Sequence, residues 1–198
     1  MKRIIFATGN KNKLRELREI LPDFAGEVIT MKEAGFTGDI DENGKTFSEN
    51  AMIKASSIAA QFPEDIVIAD DSGLCIDALG GEPGVYSARY LGEDTPYEKK
   101  NSIILERLSD VPFEKRTARF VCAVAVCLPG GEDFTVEGTI EGHIHDRIEG
   151  EGGFGYDPIF YVQDAHMTTA QMTPDEKNAI SHRGKAMRAM AERLEAYL

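Results

Sequence analysis

Two adjacent carboxylates, Asp70 and Asp71, follow the short apolar segment Ile66 to Ala69 and precede Ser72. The apolar segment predicts a strand ending at Asp70, and active-site groups gather at the carboxyl ends of strands in open α/β sheets. Adjacent carboxylates repel unless a cation lies near them, and Mg²⁺ prefers one or two carboxylates with phosphate oxygens and water. A carboxylate there can also deprotonate a water molecule. The alternative is a turn that ends the strand and is capped by the side chains of these two aspartates.

A candidate anion site lies between a strand predicted over residues 2–8 and a helix predicted over about residues 11–21. It consists of Thr8, Gly9, Asn10, Lys11, Asn12 and Lys13. A helix start binds anions because its N–H groups are free and its dipole is positive there. The hydroxyl and amide groups add donors, and the lysines add charge. The alternative is a plain strand-to-helix turn with solvated lysines.

A lysine and a glutamate near the second predicted helix can serve the same chemistry. Thr46 and Glu49 are spaced as a capping box at the start of that helix, and Lys54 lies on the face opposite its apolar stripe. From that face Lys54 can reach a phosphate, and Glu42 in the acidic loop of residues 35–46 can supply a metal ligand. By composition alone, a solvated loop and an exposed helix face are favoured.

Two later segments suit recognition of a flat heteroaromatic ring. The glycine-rich loop of residues 152–158 contains Phe154, Gly155, Tyr156 and Asp157. Lys177 and the segment Ser181-His182-Arg183, at a break between two predicted helices, offer donors to base oxygens or phosphates. The alternatives are aromatic side chains in the core and ordinary surface charges.

Composition excludes several classes of function. With 22 Lys and Arg against 34 Asp and Glu, the chain of 198 residues has a formal charge of −12 and is a poor binder of bare nucleic acid. No apolar run reaches the ~20 residues of a membrane span, and the N-terminus lacks a signal-peptide pattern. Three cysteines suggest reduced thiols. We expect a cytoplasmic protein that binds no nucleic acid or membrane.

The pattern of elements predicts an α/β fold with a mixed sheet and no strong domain boundary. Residues 117–128 are apolar on both faces, as in a central strand, and residues 134–144 alternate as an antiparallel return strand. Residues 79–92 are expected to form an ordered loop. Further predictions are a capping box at Thr95 that opens a helix to about Leu108, a strand from Pro158 to Val162, and a tail of two helices with a capping box at Thr173.

The order of the motifs is more specific than any single motif. The chain resembles the inosine triphosphate pyrophosphatase family, whose bacterial members are dITP/XTP pyrophosphatases, from residue 1 to about residue 190. The motifs, in order, are Thr8-Gly9-Asn10-x-x-Lys13, Phe47-x-Glu49-Asn50-Ala51-x-x-Lys54-Ala55, Ala69-Asp70-Asp71-Ser72-Gly73-Leu74, Pro83-Gly84-Val85-Tyr86-Ser87-Ala88-Arg89, Gly153-Phe154-Gly155-Tyr156-Asp157-Pro158 and Ser181-His182-Arg183.

The resemblance implies hydrolysis of non-canonical purine nucleoside triphosphates (dITP, ITP, XTP or dXTP) to the monophosphate and pyrophosphate. It also implies Mg²⁺ dependence and a homodimer. The implied fold is a single elongated domain over residues 1–198, in which a strongly twisted mixed sheet flanked by helices forms two lobes with a central cleft.

Matching residues take their roles from the resemblance. Asp71 is implied as proton acceptor and metal ligand, and Glu42 as a further metal ligand, with Glu49 or Asp70 as alternatives. Lys54 is implied as a phosphate contact and Ser72 as a substrate contact. The triphosphate cradle is implied to run from Thr8 to Lys13, and the base and sugar pocket to contain Phe154, Gly155, Tyr156, Asp157, Lys177, His182 and Arg183.

Two other functions stay open at this stage. The chain can be a pyrophosphatase for another modified nucleotide, such as a pyrimidine. It can also be a regulatory module that binds a nucleotide without turnover, although intact carboxylates at Asp70 and Asp71 argue against that.

Overall fold

The computed structural model describes residues 3–21 and 28–197, and within them a seven-stranded mixed sheet carries the fold. The strands are β1 (Ile4–Phe6), β2 (Val28–Thr30), β3 (Ile66–Ile76), β4 (Thr117–Cys127), β5 (Phe134–Ile144), β6 (Phe160–Val162) and β7 (Met167–Thr168). Their order in the sheet is β2-β1-β3-β4-β5-β6-β7. Strand β1 is parallel to β2 and β3, whereas β6 is antiparallel to β5 and β7. The predicted α/β class is confirmed.

Five α-helices accompany the sheet in the described ranges. They are α1 (Lys11–Ile20), α2 (Phe47–Ala59), α3 (Tyr97–Arg107), α4 (Pro174–Ile180) and α5 (His182–Glu195). The described residues contain no helix that is long and apolar enough to cross a membrane. The chain divides into two compact units, of which the first comprises Met1–Asp71, Cys122–Gly138 and His182–Leu198, and the second Ser72–Val121 and Thr139–Ser181.

The core of the first unit joins its strands to α5. Buried residues of β1, β3 and β4 pack with Met187, Met190 and Leu194, which recur on one face of that helix. The approach is close at Gly138, where a Cβ atom would lie 2.3 Å from the carbonyl oxygen of His182. A side chain at position 138 would therefore displace the start of α5.

The core of the second unit forms around α3. Ile104 and Leu108 pack with Leu74 and Ile76, from the second half of β3, and with Phe160 of β6. Phe120 and Phe160 have ring centroids 4.5 Å apart. The loop of residues 79–92 is held against this core, because the Ser87 hydroxyl accepts from the backbone N–H of Leu74 at 2.9 Å.

Strand β3 continues past the point where we predicted its end. It spans eleven residues to Ile76, so Asp70 and Asp71 lie in the middle of the strand and not at its carboxyl end. A strand can bury Asp70 because cations from other elements compensate the charge, as described below. The prediction that this strand ends at Asp70 was wrong.

Two other local predictions need correction. The capping box at Thr95 is wrong, since Pro96 is the N-cap of α3 and the Thr95 hydroxyl donates to the carbonyl of Leu91 at 2.7 Å. Strand β6 begins at Phe160, because the preceding residues Asp157–Ile159 form a 3₁₀ turn. The short strands β2 and β7 were not predicted. Pro22, which we expect to stop the helix predicted over about residues 11–21, lies outside the described residues.

The remaining helix starts agree with their sequence signals. Thr173 and Glu176 form the predicted capping box of α4. The Thr46 hydroxyl accepts from the N–H of Glu49, while the Glu49 carboxylate accepts from the neighbouring N–H of Lys45 at 2.6 Å. The cap of α2 therefore exists, with its second hydrogen bond one residue earlier than in the standard box.

Candidate active site

Asp70 is the buried centre of an ion-pair network in the first unit. Its Oδ2 atom lies 2.9 Å from Nζ of Lys13 and 3.4 Å from Nη2 of Arg183, which also pairs with Glu16. Burial alone raises the pKa of Asp70, but the charges of Lys13, Arg183 and Lys54 outweigh it, so that its pKa is lowered. Asp70 is thus a permanent anion whose charge holds cations from α1 and α5 in place.

Asp71 has a different environment from its neighbour. Its Oδ2 atom accepts from Nδ2 of Asn50 at 3.2 Å. Burial raises its pKa; the charges of Lys54 and Lys13 lower it only in part, and that of Glu42 raises it further, so the net shift is upward. A carboxylate with a raised pKa is a stronger base, as a proton acceptor requires.

Lys54 and Glu42 lie together at the same centre. The Nζ atom of Lys54 is 3.1 Å from Oε2 of Glu42 and 3.1 Å from the carbonyl oxygen of Asp70. The loop before α2 is fastened by the amide of Asn50, whose Oδ1 accepts from the N–H of Gly44 at 2.8 Å. A Cβ at Gly44 would lie 2.7 Å from that oxygen, so the glycine permits the contact.

The carboxylates fit a magnesium ion that arrives with a phosphate ligand. Among the described residues no three His, Cys, Asp or Glu side chains form a group that could hold a metal by itself. Mg²⁺ needs only one or two protein carboxylates when phosphate oxygens and water complete its shell. Glu42 and Asp71 offer such hard oxygen donors, and Oδ1 of Asp70 is buried without a hydrogen-bond partner in the described part of the chain. Glu49 is engaged at the start of α2.

The segment from Thr8 to Lys13 is a capped helix start. The Asn10 side chain is the N-cap of α1 and accepts from the N–H groups of Asn12 at 2.9 Å and Lys13 at 3.4 Å. The Thr8 hydroxyl accepts from the N–H of Asn10 at 3.1 Å. Two N–H groups that we predicted for an anion are therefore already bonded, and the Lys13 ammonium supplies the positive charge.

Asp157 organises the aromatic loop of the second unit. One carboxylate oxygen accepts from the N–H of Phe154 at 2.8 Å and lies 2.7 Å from Nζ of Lys177. The other accepts from the hydroxyl of Thr169 at 2.8 Å. The Lys177 ammonium is 5.1 Å from the centroid of the Phe154 ring. A cation, a half-buried ring and a loop backbone are thereby fixed around one buried carboxylate.

Tyr156 lies in the core of this unit. Its side chain is 4% exposed and its hydroxyl donates to the carbonyl of Ser87 at 2.6 Å. Burial raises the pKa of the phenol. The Gly155 carbonyl accepts from the Asn101 amide at 3.1 Å. For Tyr156 the structure thus favours the core interpretation over stacking on a base.

The other predicted site residues fall in both units. Ser72 is a half-buried residue of β3 in the second unit, whereas His182 and Arg183 begin α5 in the first unit. Arg183 pairs with Asp70, and Lys177 pairs with Asp157. A shared base and sugar pocket for Lys177, His182 and Arg183 stays a prediction.

The comparison with known proteins decides the family. A model of the Ham1 family matches residues 4–193 of the chain. The chain belongs to the Ham1 family. The resemblance predicted from the order of six motifs is thereby confirmed.

Ham1 relatives of similar length are named for one activity. The chain is 50% identical over 196 residues to the dITP/XTP pyrophosphatase of Bacillus subtilis strain 168, covering 99% of this chain and 98% of the relative. It is 45% identical over 194 residues to the dITP/XTP pyrophosphatase of Geobacter sulfurreducens, covering 98% and 97%.

Solved Ham1 structures share the fold. The Ham1 protein of Staphylococcus aureus is 41% identical, with a TM-score of 0.89 over 100% of both chains. A nucleoside-triphosphatase (dITP/XTP pyrophosphatase) from Mycobacterium abscessus is 39% identical, with a TM-score of 0.77, covering 95% of this chain and 98% of that one.

Sequence reasoning missed three polar residues that support the candidate site. Glu16 pairs with Arg183, Asn50 bridges Gly44 and Asp71, and Thr169 supports Asp157. A signal existed for Glu16, because a residue three positions after Lys13 lies on the same helix face. Asn50 stood inside a quoted motif, but we interpreted its face as exposed, and the structure buries it.

Proposed function

We propose that this Ham1 protein hydrolyses non-canonical purine nucleoside triphosphates, namely dITP, ITP and XTP or dXTP, to the monophosphate and pyrophosphate. The observation that carries the proposal is the Asp70–Asp71 pair surrounded by Lys13, Lys54 and Arg183 in a strongly acidic chain. Cations gathered around one base of raised pKa suit attack on a polyphosphate. The printed names of the relatives support this substrate class.

In this proposal Asp71 accepts the proton of the attacking water. The hydrogen bond from Asn50 fixes one carboxylate oxygen, and the raised pKa favours proton uptake near neutral pH. Attack at the α-phosphorus then breaks the bond to the pyrophosphate group. Asp70 is a weaker base than Asp71, since the charges of Lys13 and Arg183 lower its pKa and so disfavour proton uptake.

The lysines neutralise the triphosphate. Lys13 and Lys54 exchange part of their contact with protein carboxylates for contact with phosphate oxygens, and the hydroxyl of Thr8 adds a donor. Because Asp70 and Glu42 hold these ammonium groups before the nucleotide binds, little reorganisation is needed during the reaction. Lys11 is exposed and Asn12 is half-buried on the first turn of α1, where they add further donors.

Glu42 and Asp71 would hold Mg²⁺, with Asp70 as the alternative to Glu42. The ion supplies positive charge to phosphate oxygens when it is bound with the nucleotide. Lys54 contacts Glu42 and the Asp70 backbone, so its ammonium group fixes where the Glu42 carboxylate points.

The loop of the second unit recognises the base in this proposal. Lys177 donates to the 6-oxo group of hypoxanthine or xanthine, and Phe154 provides a ring face for stacking. Adenine has an amino group at that position, so a donor that is fixed for an oxo group stays unpaired and adenine is rejected. Asp157 positions both residues through its contacts with Lys177 and the Phe154 N–H. Ser72, His182 and Arg183 complete the proposed substrate contacts.

Self-association through the second unit is also proposed. Tyr86 and Leu91 are 59% and 47% exposed in the loop of residues 79–92. We place the contact at these side chains, since contiguous exposed apolar patches mark interaction surfaces. A homodimer in the cytoplasm is the assembly we propose, and its mass in solution tests it.

The test is pyrophosphate release from dITP, XTP, dGTP and dATP, each with and without Mg²⁺. We expect rapid release that depends on Mg²⁺ from dITP and XTP only. Equal rates on all four would reject the base-recognition proposal but keep the hydrolase. The absence of release from any of them would reject the catalytic role of Asp71.

The matched variants are Asp71→Asn and, as a control, Asp94→Asn in an exposed loop. Loss of the general base lowers kcat by about 10²–10⁴-fold, whereas the control should keep the parent rate. Near-full turnover of Asp71→Asn with Mg²⁺ saturating would contradict the assigned base.

A further inference from the structure

A cavity in the second unit has no role in the proposed reaction. Its volume is about 650 Å³, and it lies between the segment that follows α3 and the end of β5. The side chains that matter for its chemistry are Phe113, Arg116, His145 and Tyr161, with Ser109 at its rim. None of them belongs to the proposed nucleotide site. The volume is within the range of about 300–1,000 Å³ that is typical of small-molecule sites.

Arg116 is the charged group of this cavity. It is only 8% exposed, and its guanidinium donates from Nε to the carbonyl of Val111 at 2.8 Å and from Nη1 to that of His145 at 3.1 Å. Both acceptors are neutral, and the described residues provide no carboxylate within ion-pair distance. A buried cation without a counter-charge is costly, so a bound anion would be favoured here.

The geometry of Arg116 suits a carboxylate or a phosphate. The two carbonyl contacts fix the plane of the guanidinium, while Nη2 donates no hydrogen bond to the described part of the chain. A planar guanidinium recognises carboxylates and phosphates through paired N–H donors. Because this group is already held in place, little side-chain entropy is lost when an anion binds.

Aromatic rings line the same cavity. The Phe113 ring stacks on His143 with centroids 5.0 Å apart and meets the ring of Tyr161 edge-on at 5.7 Å. Tyr161 also lies against His145, with centroids 5.1 Å apart. Phe113, Tyr161 and His145 are half-buried, and such surfaces favour a flat ring.

Two carboxylates at the cavity do not cancel this preference. Asp146 lies 2.9 Å from Nη1 of Arg147 and 3.3 Å from Nδ1 of His145, so its charge has partners. Asp110 is exposed and its charge is solvated. Screening by water weakens exposed charges far more than the buried charge of Arg116.

We propose that this cavity binds a small planar aromatic anion, whose acid group pairs with Arg116 and whose ring lies against Phe113 and Tyr161. Two sources share this chemistry: an aromatic carboxylate and a purine nucleoside monophosphate. The proposal does not depend on the reaction proposed above, since it uses no residue of that site.

The experiment is calorimetric titration of the full chain with charged and uncharged pairs of probes. The first pair is 4-hydroxybenzoate with 4-hydroxybenzyl alcohol, and the second is inosine monophosphate with inosine. We expect each anion to bind roughly tenfold or more tightly than its uncharged partner, as a hydrogen bond to a charged group implies. Binding of only one anion would identify the source.

Three variants locate the binding. Arg116→Gln removes the charge, and Ser109→Trp blocks the rim at an exposed residue without touching the contacts of Arg116. Arg15→Gln is the control, because Arg15 is an exposed residue of α1. We expect the first two to lose the anion preference and the third to keep it. Inosine monophosphate is also the product of the proposed reaction and can bind at the nucleotide site. Its binding is therefore assigned to this cavity only where Ser109→Trp abolishes it.

Two results would overturn the proposal. One is equal affinity for the charged and uncharged probes. The other is binding that Ser109→Trp leaves unchanged, a measurement that stays decisive if Arg116→Gln fails to fold. An unchanged melting temperature of Ser109→Trp would show that loss of binding is not loss of structure.

Discussion

Asp70 and Asp157 are both buried carboxylates with a lysine within 3 Å, but the two are held by different means. Asp70 is held by charge alone: Lys13 and Arg183 reach it from helices far away in the sequence. Asp157 is held mainly by neutral hydrogen-bond donors, since the N–H of Phe154 and the hydroxyl of Thr169 both donate to it.

The kind of partner determines what each carboxylate can do. A carboxylate that is held by long cationic side chains keeps a set of positive charges together, and those charges can also bind phosphate. A carboxylate that accepts a backbone N–H three residues away determines the shape of a loop. Asp70 therefore serves charge placement in the first unit, and Asp157 serves geometry in the second.

The largest effect is expected for Asp70→Asn. The substitution removes the negative charge that pairs with both Lys13 and Arg183. Breaking a buried ion-pair network costs about 3–5 kcal/mol of the free energy of unfolding. Urea denaturation measures the loss.

The matched substitution is Asp71→Asn, at a carboxylate whose Oδ2 atom accepts from the neutral amide of Asn50 at 3.2 Å. It should change the free energy of unfolding by less than about 1 kcal/mol while lowering turnover. Equal destabilisation by the two substitutions would remove the distinction between the neighbours.

A smaller effect is expected for Asp157→Asn. The amide keeps one oxygen acceptor for the loop but removes the charge that pairs with Lys177, so the loss is about 1–3 kcal/mol in the free energy of unfolding. We expect KM for dITP to rise with kcat less affected. The substitution alters the loop proposed to bind the nucleobase and leaves Asp71, the proposed proton acceptor, unchanged. A fall in kcat alone would contradict the geometric role.

The contrast between these two carboxylates also explains what could be predicted from sequence. The order of short motifs predicted the family. The continuous apolar run of residues 117–128 predicted β4, and the alternating pattern of residues 134–144 predicted β5, because such patterns are local. The capping box at Thr173 is local as well.

Long-range compensation could not be predicted in that way. Two adjacent aspartates are typical of a strand end, and β3 continues through them only because Lys13 and Arg183, 57 and 113 residues away, compensate Asp70. The core contact of Tyr156 could not be predicted either, since its partner Ser87 lies 69 residues earlier in the chain. Pairings over such distances leave no spacing signal in a single sequence.

Glu16→Gln tests how much Glu16 contributes to the ion-pair network around Asp70. Gln keeps a hydrogen-bond acceptor for Arg183 and removes one negative charge, while Asp70 still pairs with the guanidinium. We expect a loss of about 1–2 kcal/mol in the free energy of unfolding, less than for Asp70→Asn. Thermal unfolding compares the two variants, and a larger loss for Glu16→Gln would make Glu16 and not Asp70 the centre of the network.

The smallest effect is expected where the same kinds of side chain meet on the surface. Arg119 lies 3.0 Å from Glu141 and 3.3 Å from Asp77, and all three side chains are more than a third exposed. Because water screens these charges, Arg119→Gln should cost no more than about 1 kcal/mol in the free energy of unfolding, and less in high salt. The ion pairs of Arg119 and those of Asp70 have comparable distances. A far smaller loss in the free energy of unfolding for Arg119→Gln would therefore show that burial, and not distance, determines the strength of the Asp70 network. A loss as large as that of Asp70→Asn, insensitive to salt, would contradict this conclusion.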